Sequence, residues 1–230
     1  MTVLIGLKQD KYVTITADTK STHTVVVNNE MKILDTYDTI PKVFHISENI
    51  IIGIAGINGL GQSIVKTLQS VFTLVNDKSV EEIVKYVEKT CVYNHNMYEE
   101  VHPQRNSNLL FIVAGIDSQK NETYLYRFSS QDKFKPNEIV KGDLIVRGSQ
   151  QKKIEEFFQR PDLYEIYNED VEILSAAIRS IDDQLVSKNT YSITITYDEI
   201  KGFEHSITAV DSNGILKYLD LNGNAIPIGN

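Results

Sequence analysis

Two pairs of amphipathic helical segments, separated by runs of strand-like sequence, constrain this chain more than any other feature. From Gly59 to Val75 the apolar residues Leu60, Ile64, Leu68, Val71 and Val75 recur at steps of three and four, the spacing of one helix face. A second segment from Ser79 to Tyr98 carries Val80, Ile83, Val84, Val87 and Cys91 in the same rhythm. The second pair comprises Gln150 to Phe158 and a longer segment after Asp170, with Val171, Leu174, Ile178, Ile181 and Leu185. Asn58 and Asp170 stand where helix caps belong, and Ser79 with Glu82 has the spacing of a capping box. Pro161 to Asn168 reads as a linker.

Strands fill the remainder. Thr2 to Leu7 and Tyr12 to Ala17 are joined by Gln9-Asp10-Lys11, and Val13, Ile15 and Ala17 alternate with Tyr12, Thr14 and Thr16. Period two over so short a distance predicts a β-hairpin beginning at the chain start. Lys42 to Ile46 and Ile50 to Ala55 form a second strand pair around Ser47-Glu48-Asn49. Asn108 to Ile116, Thr123 to Phe128 and Asp143 to Arg147 follow, then Tyr191 to Tyr197, Phe203 to Val210 and Ile215 to Leu219, with Asn213-Gly214 as a turn. Between Thr19 and Ile40, Val25 to Val27 can pair with Met31 to Leu34.

The order is strands, two helices, strands, two helices, strands. One stripe per helix means that each helix pair covers one sheet face, so the two sheets must cover each other. The expectation is an α+β fold: a four-layer αββα sandwich with two antiparallel sheets, made as one domain over residues 1–230.

Composition narrows the function classes. A formal net charge of −8 and the lack of any basic block argue against nucleic-acid binding. The only cysteine, Cys91, lies in a helical stripe, which rules out a disulfide within the chain. The opening MTVLIGLKQDKY has no basic segment followed by a long apolar one, and no run nears the ~20 apolar residues of a membrane span. These features point to a cytoplasmic protein, with neither nucleic acid nor membrane as partner.

The chemistry-bearing position is Thr2. Removal of Met1 would give it a free α-amine beside its hydroxyl. Such an amine titrates at about pKa 7.7–8.0, so nucleophile and general base would belong to one residue. Asp18 closes the second strand, in Ala17-Asp18-Thr19-Lys20-Ser21-Thr22.

Four local patterns resemble the proteasome β-subunit family of N-terminal-nucleophile hydrolases, which includes the HslV-like proteins. Thr2-Val3-Leu4-Ile5-Gly6-Leu7 is similar to the family's mature first strand. Ala17-Asp18-Thr19-Lys20-Ser21-Thr22 resembles its Ala-Asp-Ser/Thr-Arg-Ala-Thr segment. Lys42-Val43-Phe44-His45-Ile46, followed by Ile54-Ala55-Gly56, is similar to its Lys-Ile-x-x-Ile strand and Ala-Gly turn. Arg147-Gly148-Ser149 resembles its Gly-Ser-Gly motif, with Gln150 in place of the second glycine.

The resemblance implies roles. Thr2 is the nucleophile and its amine the base. Lys42 lowers the hydroxyl pKa, and Asp18 holds Lys42 charged. Gly56 offers its N–H to an oxyanion, and Ser149 orients the amine. Asp183 and Ser187 are the nearest counterparts of a further Asp and Ser, although they stand four apart where the family has three. The Thr19 to Ile40 segment is longer than the family's connection, which makes Lys32 a competitor for the lysine role. Lys42 alone keeps the step to Ala55-Gly56.

Simpler readings stand beside these. Asp18 can cap a turn, Lys42 can be a solvated strand lysine, and Ser149 can be a plain helix N-cap. Asn58-Gly59-Leu60-Gly61 lacks the spacing of a phosphate-binding loop, and His95 and His102 lack partners at metal-ligand spacing.

The function implied is a threonine peptidase or amidohydrolase acting through an acyl-enzyme ester, with no metal or cofactor. Its partners would be a peptide or unfolded protein substrate, further copies in a ring or spiral, and an ATP-dependent unfoldase. A non-catalytic scaffold or binding subunit and a small-molecule amidase are the alternatives.

Overall fold

A computed structural model describes the whole chain except residues 1, 28–29, 39, 74–78, 104–106, 141–143, 149–150 and 227–230. Its strands are β1 (Val3–Lys8), β2 (Tyr12–Asp18), β3 (Ser21–Val27), β4 (Glu30–Tyr37), β5 (Val43–Ser47), β6 (Ile50–Gly56), β7 (Leu109–Asp117), β8 (Glu122–Ser129), β9 (Asn137–Glu138), β10 (Leu144–Gly148), β11 (Thr190–Asp198), β12 (Gly202–Val210) and β13 (Leu216–Leu219). The helices are α1 (Asn58–Thr73), α2 (Val80–Val101), α3 (Gln151–Phe158), α4 (Leu163–Ile166) and α5 (Asp170–Arg179).

Apart from β3 and β4, which pair with each other alone, the strands form two antiparallel sheets, ordered β10-β1-β2-β11-β12-β13 and β5-β6-β7-β8-β9. Alternation along each strand divides its side chains between two cores. In β6, Ile50, Ile52 and Ile54 pack with Ile64, Leu68 and Val87 of α1 and α2. Ile51 points the other way, into the layer between the sheets, with Leu4, Ile15, Ile112 and Ile193. In β1, Val3, Ile5 and Leu7 meet Leu174 and Ile178 of α5, and Leu4 joins the inter-sheet layer. Three apolar layers therefore separate four structural layers, and the fold is the expected αββα sandwich. A one-residue slip of β6 would exchange both of its faces at once, so burial on two sides fixes its register. Each such buried aliphatic side chain contributes on the order of 2 kcal/mol.

The sheets approach each other closely at Gly53. A Cβ there would lie 2.9 Å from Ile15 Cγ2 and 3.1 Å from Leu4 Cδ2. This close approach locks β6 over β1 and β2, the two strands that carry the candidate site.

Several boundaries differ from the sequence expectation. Asn58 is the first helical residue of α1, with its side chain accepting from Gln62 Nε2 at 3.2 Å. The expected last position of that helix, Val75, lies outside the described residues. The capping box at Ser79 and Glu82 is present. Asp170 is not a cap: the carboxylate of Glu172 receives the Glu169 N–H at 3.2 Å, and Asp170 takes the Tyr12 hydroxyl. The Pro161 to Asn168 linker contains α4, whose Leu163 is buried.

The largest difference is at the end of α5. Apolar periodicity extends to Leu185, yet the helix stops at Arg179. The Ser180 hydroxyl bonds to the Ala177 carbonyl at 2.7 Å, and the Lys188 ammonium donates to the carbonyls of Arg179 and Ile181. These donors take up carbonyl groups that a helix end leaves without intrahelical partners. Ile181 remains buried outside the helix, so its hydrophobicity is satisfied without helical backbone.

The Thr19 to Ile40 segment forms the β3–β4 hairpin, with Val25 opposite Lys32 and Val26 opposite Met31. Among the described residues, no helix is long and apolar enough to cross a membrane.

Candidate active site

The site grows from the antiparallel pairing of β1 and β2. Leu4 stands opposite Ala17, which brings Val3 beside Asp18 at the strand end. The Val3 N–H donates to Asp18 Oδ1 at 2.8 Å. Lys42, just before β5 in the other sheet, donates its ammonium to the same oxygen at 2.9 Å. Asp18 Oδ2 accepts from Lys20 N–H at 3.1 Å and from Ser187 N–H at 3.4 Å. The carboxylate thus has four donors, drawn from both sheets and from the connection between α5 and β11. It retains no exposed surface, and Lys42 retains 3%.

Two charges this deeply buried each lose their hydration, and their attraction offsets that cost only with good geometry and further hydrogen bonds. Burial pulls the Lys42 pKa below the ordinary lysine value; the charge of Asp18 and its hydrogen bond push it back up, with a smaller push from Asp38. The result is a desolvated ammonium on the same carboxylate oxygen that takes the N–H of Val3. Thr2 itself is half-buried and immediately precedes β1.

Gly56 ends β6 with φ +107°. A Cβ there would come within 2.1 Å of the Asn108 carbonyl oxygen. That oxygen also receives the Ile57 N–H at 3.3 Å, leading the chain into α1. The sharp exit is available only to glycine.

Gly148 pairs with Val3, which brings the end of β10 alongside the start of β1. Ser149, the next residue, lies outside the described residues. Of the two further candidates, Ser187 reaches the site. It gives its N–H to Asp18, while its hydroxyl accepts from Asn189 N–H at 2.8 Å and from Thr19 Oγ1 at 3.4 Å. Asp183 shapes the preceding turn, accepting the Leu185 N–H at 2.8 Å. Lys32 belongs to the β3–β4 hairpin, whereas Lys42 brings its ammonium to Asp18.

Sequence reasoning missed the brace beneath Asp18. Thr19 Oγ1 bonds to Asp38 Oδ1 at 3.0 Å, Ile40 N–H to Thr19 O at 3.0 Å, and Asn189 Nδ2 to Asp38 Oδ2 at 3.4 Å. Lys20 Nζ donates to Gln184 O at 2.5 Å. Both feet of the hairpin are therefore tied to the 180–189 connection. Contacts between residues so far apart in the chain leave no periodic trace, so no local pattern pointed to them.

Among the described residues, no cluster of three or more His, Cys, Asp or Glu side chains is arranged to hold a metal ion. No curated protein matches the sequence at a significant level. The family profile described as proteasome subunit matches residues 2–195, a span holding both sheets through β11 along with Thr2, Asp18, Lys42 and Gly56. The chain belongs to the proteasome subunit family.

Proposed function

We propose that the chain is a threonine hydrolase of the N-terminal-nucleophile type, cleaving amide bonds. The observation that carries this reading is the oxygen shared at Asp18, which receives both the Lys42 ammonium and the N–H of the residue after Thr2. One carboxylate atom thereby fixes the start of β1 relative to a buried cation.

Removal of Met1 frees the Thr2 amine. The amine takes the hydroxyl proton, and Thr2 Oγ attacks the amide carbon. Lys42 favours the developing alkoxide by its positive charge. The Gly56 N–H faces the oxyanion of the tetrahedral intermediate, an interaction worth about 3 kcal/mol in comparable sites. The protonated amine then gives its proton to the leaving nitrogen, leaving an ester on Thr2. Water, deprotonated by the same amine, hydrolyses that ester. Ser149 orients the amine, and Ser187 acts one step back by holding Asp18.

Members of this family assemble into rings. For this chain we propose a homo-oligomeric ring or spiral, peptides or unfolded protein as substrate, and an ATP-dependent unfoldase as partner.

The test is the intact mass of the purified protein before and after exposure to a β-lactone. Loss of the Met1 mass and one stoichiometric adduct, abolished in Thr2→Ala, is the expected result. Retained Met1 with no adduct would overturn the catalytic reading and leave a scaffold subunit. An adduct together with turnover of small amides but not peptides would instead identify a small-molecule amidase.

A further inference from the structure

The 22-residue helix α2 buries Ile83, Val84, Val87, Cys91 and His95 against its sheet and α1. Its outer side carries a second apolar series: Tyr86 is 40% exposed, Tyr93 65%, Met97 48% and Val101 70%. Steps of seven, four and four keep these residues on one flank, and from Tyr86 to Val101 they extend about 22 Å at 1.5 Å per residue. Tyrosine and methionine are the residue types that protein interfaces favour. Tyr86 also meets Phe72 of α1 edge-on, with ring centroids 6.3 Å apart; the exposed series beyond it, on a helix whose core face is already satisfied, needs another explanation than folding.

The charges beside the stripe identify what covers it. On the exposed surface of the first half stand Lys85 and Lys89; on that of the second half stand Asn96 and Glu100. The other acids of this helix have partners or lie lower. Glu81 pairs with Lys120, Glu82 closes the capping box, Glu99 accepts from Ser107, and Glu88 is half-buried. A shallow groove lined by Lys85, Glu88, Lys89, Val92, Tyr93 and Asn96 runs along this flank, with Glu88 set below the two lysines.

We propose that α2 packs antiparallel against α2 of a second copy of this chain, about a two-fold axis passing beside Tyr93. Antiparallel helices bring the same flank of each into contact. Centred on Tyr93, the pairing sets Lys85 of one copy against Glu100 of the other, twice, and Lys89 against Asn96. Tyr93 meets its own counterpart, and Tyr86 meets the end of the stripe at Val101. A parallel two-fold pairing would carry the two flanks to opposite sides of the contact, and these charges would not meet. The patch is self-complementary in one orientation, which is the requirement for a closed isologous dimer. This contact is independent of the chemistry proposed at Thr2.

The test compares the full-length protein with Tyr93→Glu, Lys85→Glu, Glu100→Lys and the double variant Lys85→Glu/Glu100→Lys by sedimentation and light scattering across a dilution series. Tyr93→Glu is expected to halve the assembly mass. Each single charge reversal is expected to raise the dissociation concentration about tenfold, and the double reversal to restore it. That restoration separates lost contacts from misfolding, because the double variant carries both changes. In parallel, Tyr93→Cys is expected to form a disulfide-linked dimer under mild oxidation. A monomeric wild type, a Tyr93→Glu variant of unchanged mass, or a double reversal no better than the singles would overturn the proposal. So would a stripe occupied by a different protein while self-association is unchanged.

Discussion

Lys42 and Asp18 form an ion pair of 2.9 Å in which neither side chain keeps more than 4% of its surface in solvent. Such a pair is far more costly to break than to replace, because the remaining charge is left buried and uncompensated. Lys42→Ala is therefore expected to destabilise the fold by about 3–5 kcal/mol, measured as a shift in the urea midpoint. Its rate of β-lactone labelling should fall by two to four orders of magnitude, the range for losing a positioned proton-transfer or charge-stabilising group. Lys42→Arg keeps the charge but not the compact ammonium. It should recover much of the stability and little of the labelling.

Gly56→Ala separates backbone strain from chemistry. The positive φ and the Asn108 carbonyl 2.1 Å from the new Cβ force the strand end to move. The expected cost is about 1–3 kcal/mol, seen as a lower melting temperature, together with loss of labelling as the Gly56 N–H turns away. Gly59→Ala is the control. It lies in the first turn of α1 with no atom within 4 Å of the new Cβ, so replacing a helical glycine should be neutral or stabilising by up to about 1 kcal/mol.

The layers of this fold were legible because burial leaves a period. Val13, Ile15 and Ala17, and likewise the stripe of α2, announce their faces in the sequence, and both occupy the expected cores. The α5 stripe misled at its end because periodicity reports burial rather than backbone shape: Ile181 stays in the core after the helix has stopped. Within the site, Asp18 and Lys42 were legible as motif residues. Their bracing was not, because the Ser187 N–H and the Asp38 carboxylate act through single hydrogen bonds across large sequence separations. Single hydrogen bonds impose no pattern on neighbouring residues.

Acid should loosen the packing between the sheets. His45 of β5 and His205 of β12 stack with ring centroids 4.8 Å apart. Burial, with a smaller contribution from His205, lowers the His45 pKa to about 4. Burial also lowers that of His205, opposed by Glu48, whose charge and backbone carbonyl both favour the protonated ring. A histidine whose folded pKa lies below its unfolded value of about 6.5 is protonated first in the unfolded chain. Its stability contribution is complete above pH 6.5 and is lost as pH falls toward 4. The loss is on the order of 2 kcal/mol once the partial exposure of the ring is allowed for. Unfolding free energies measured between pH 7.5 and 4 should show this slope in the wild type, and His45→Gln should flatten it.

Lys188 tests whether the brace under Asp18 matters to the chemistry. Its ammonium closes the end of α5 on the carbonyls of Arg179 and Ile181, and the following backbone leads through Asn189 into β11. Its neighbour Ser187 donates to Asp18, while the Lys188 ammonium is directed to the two carbonyls. In Lys188→Met the stem still packs, but two carbonyls lose their donor, at a cost of about 1–3 kcal/mol. If the brace positions the pair, β-lactone labelling should slow about tenfold, and the pH at which labelling is half-maximal should shift with it. If the connection serves stability alone, the melting temperature should fall while the labelling rate and its pH profile stay at wild-type values. Lys188→Arg, which restores a cationic donor, should recover both quantities in the first case.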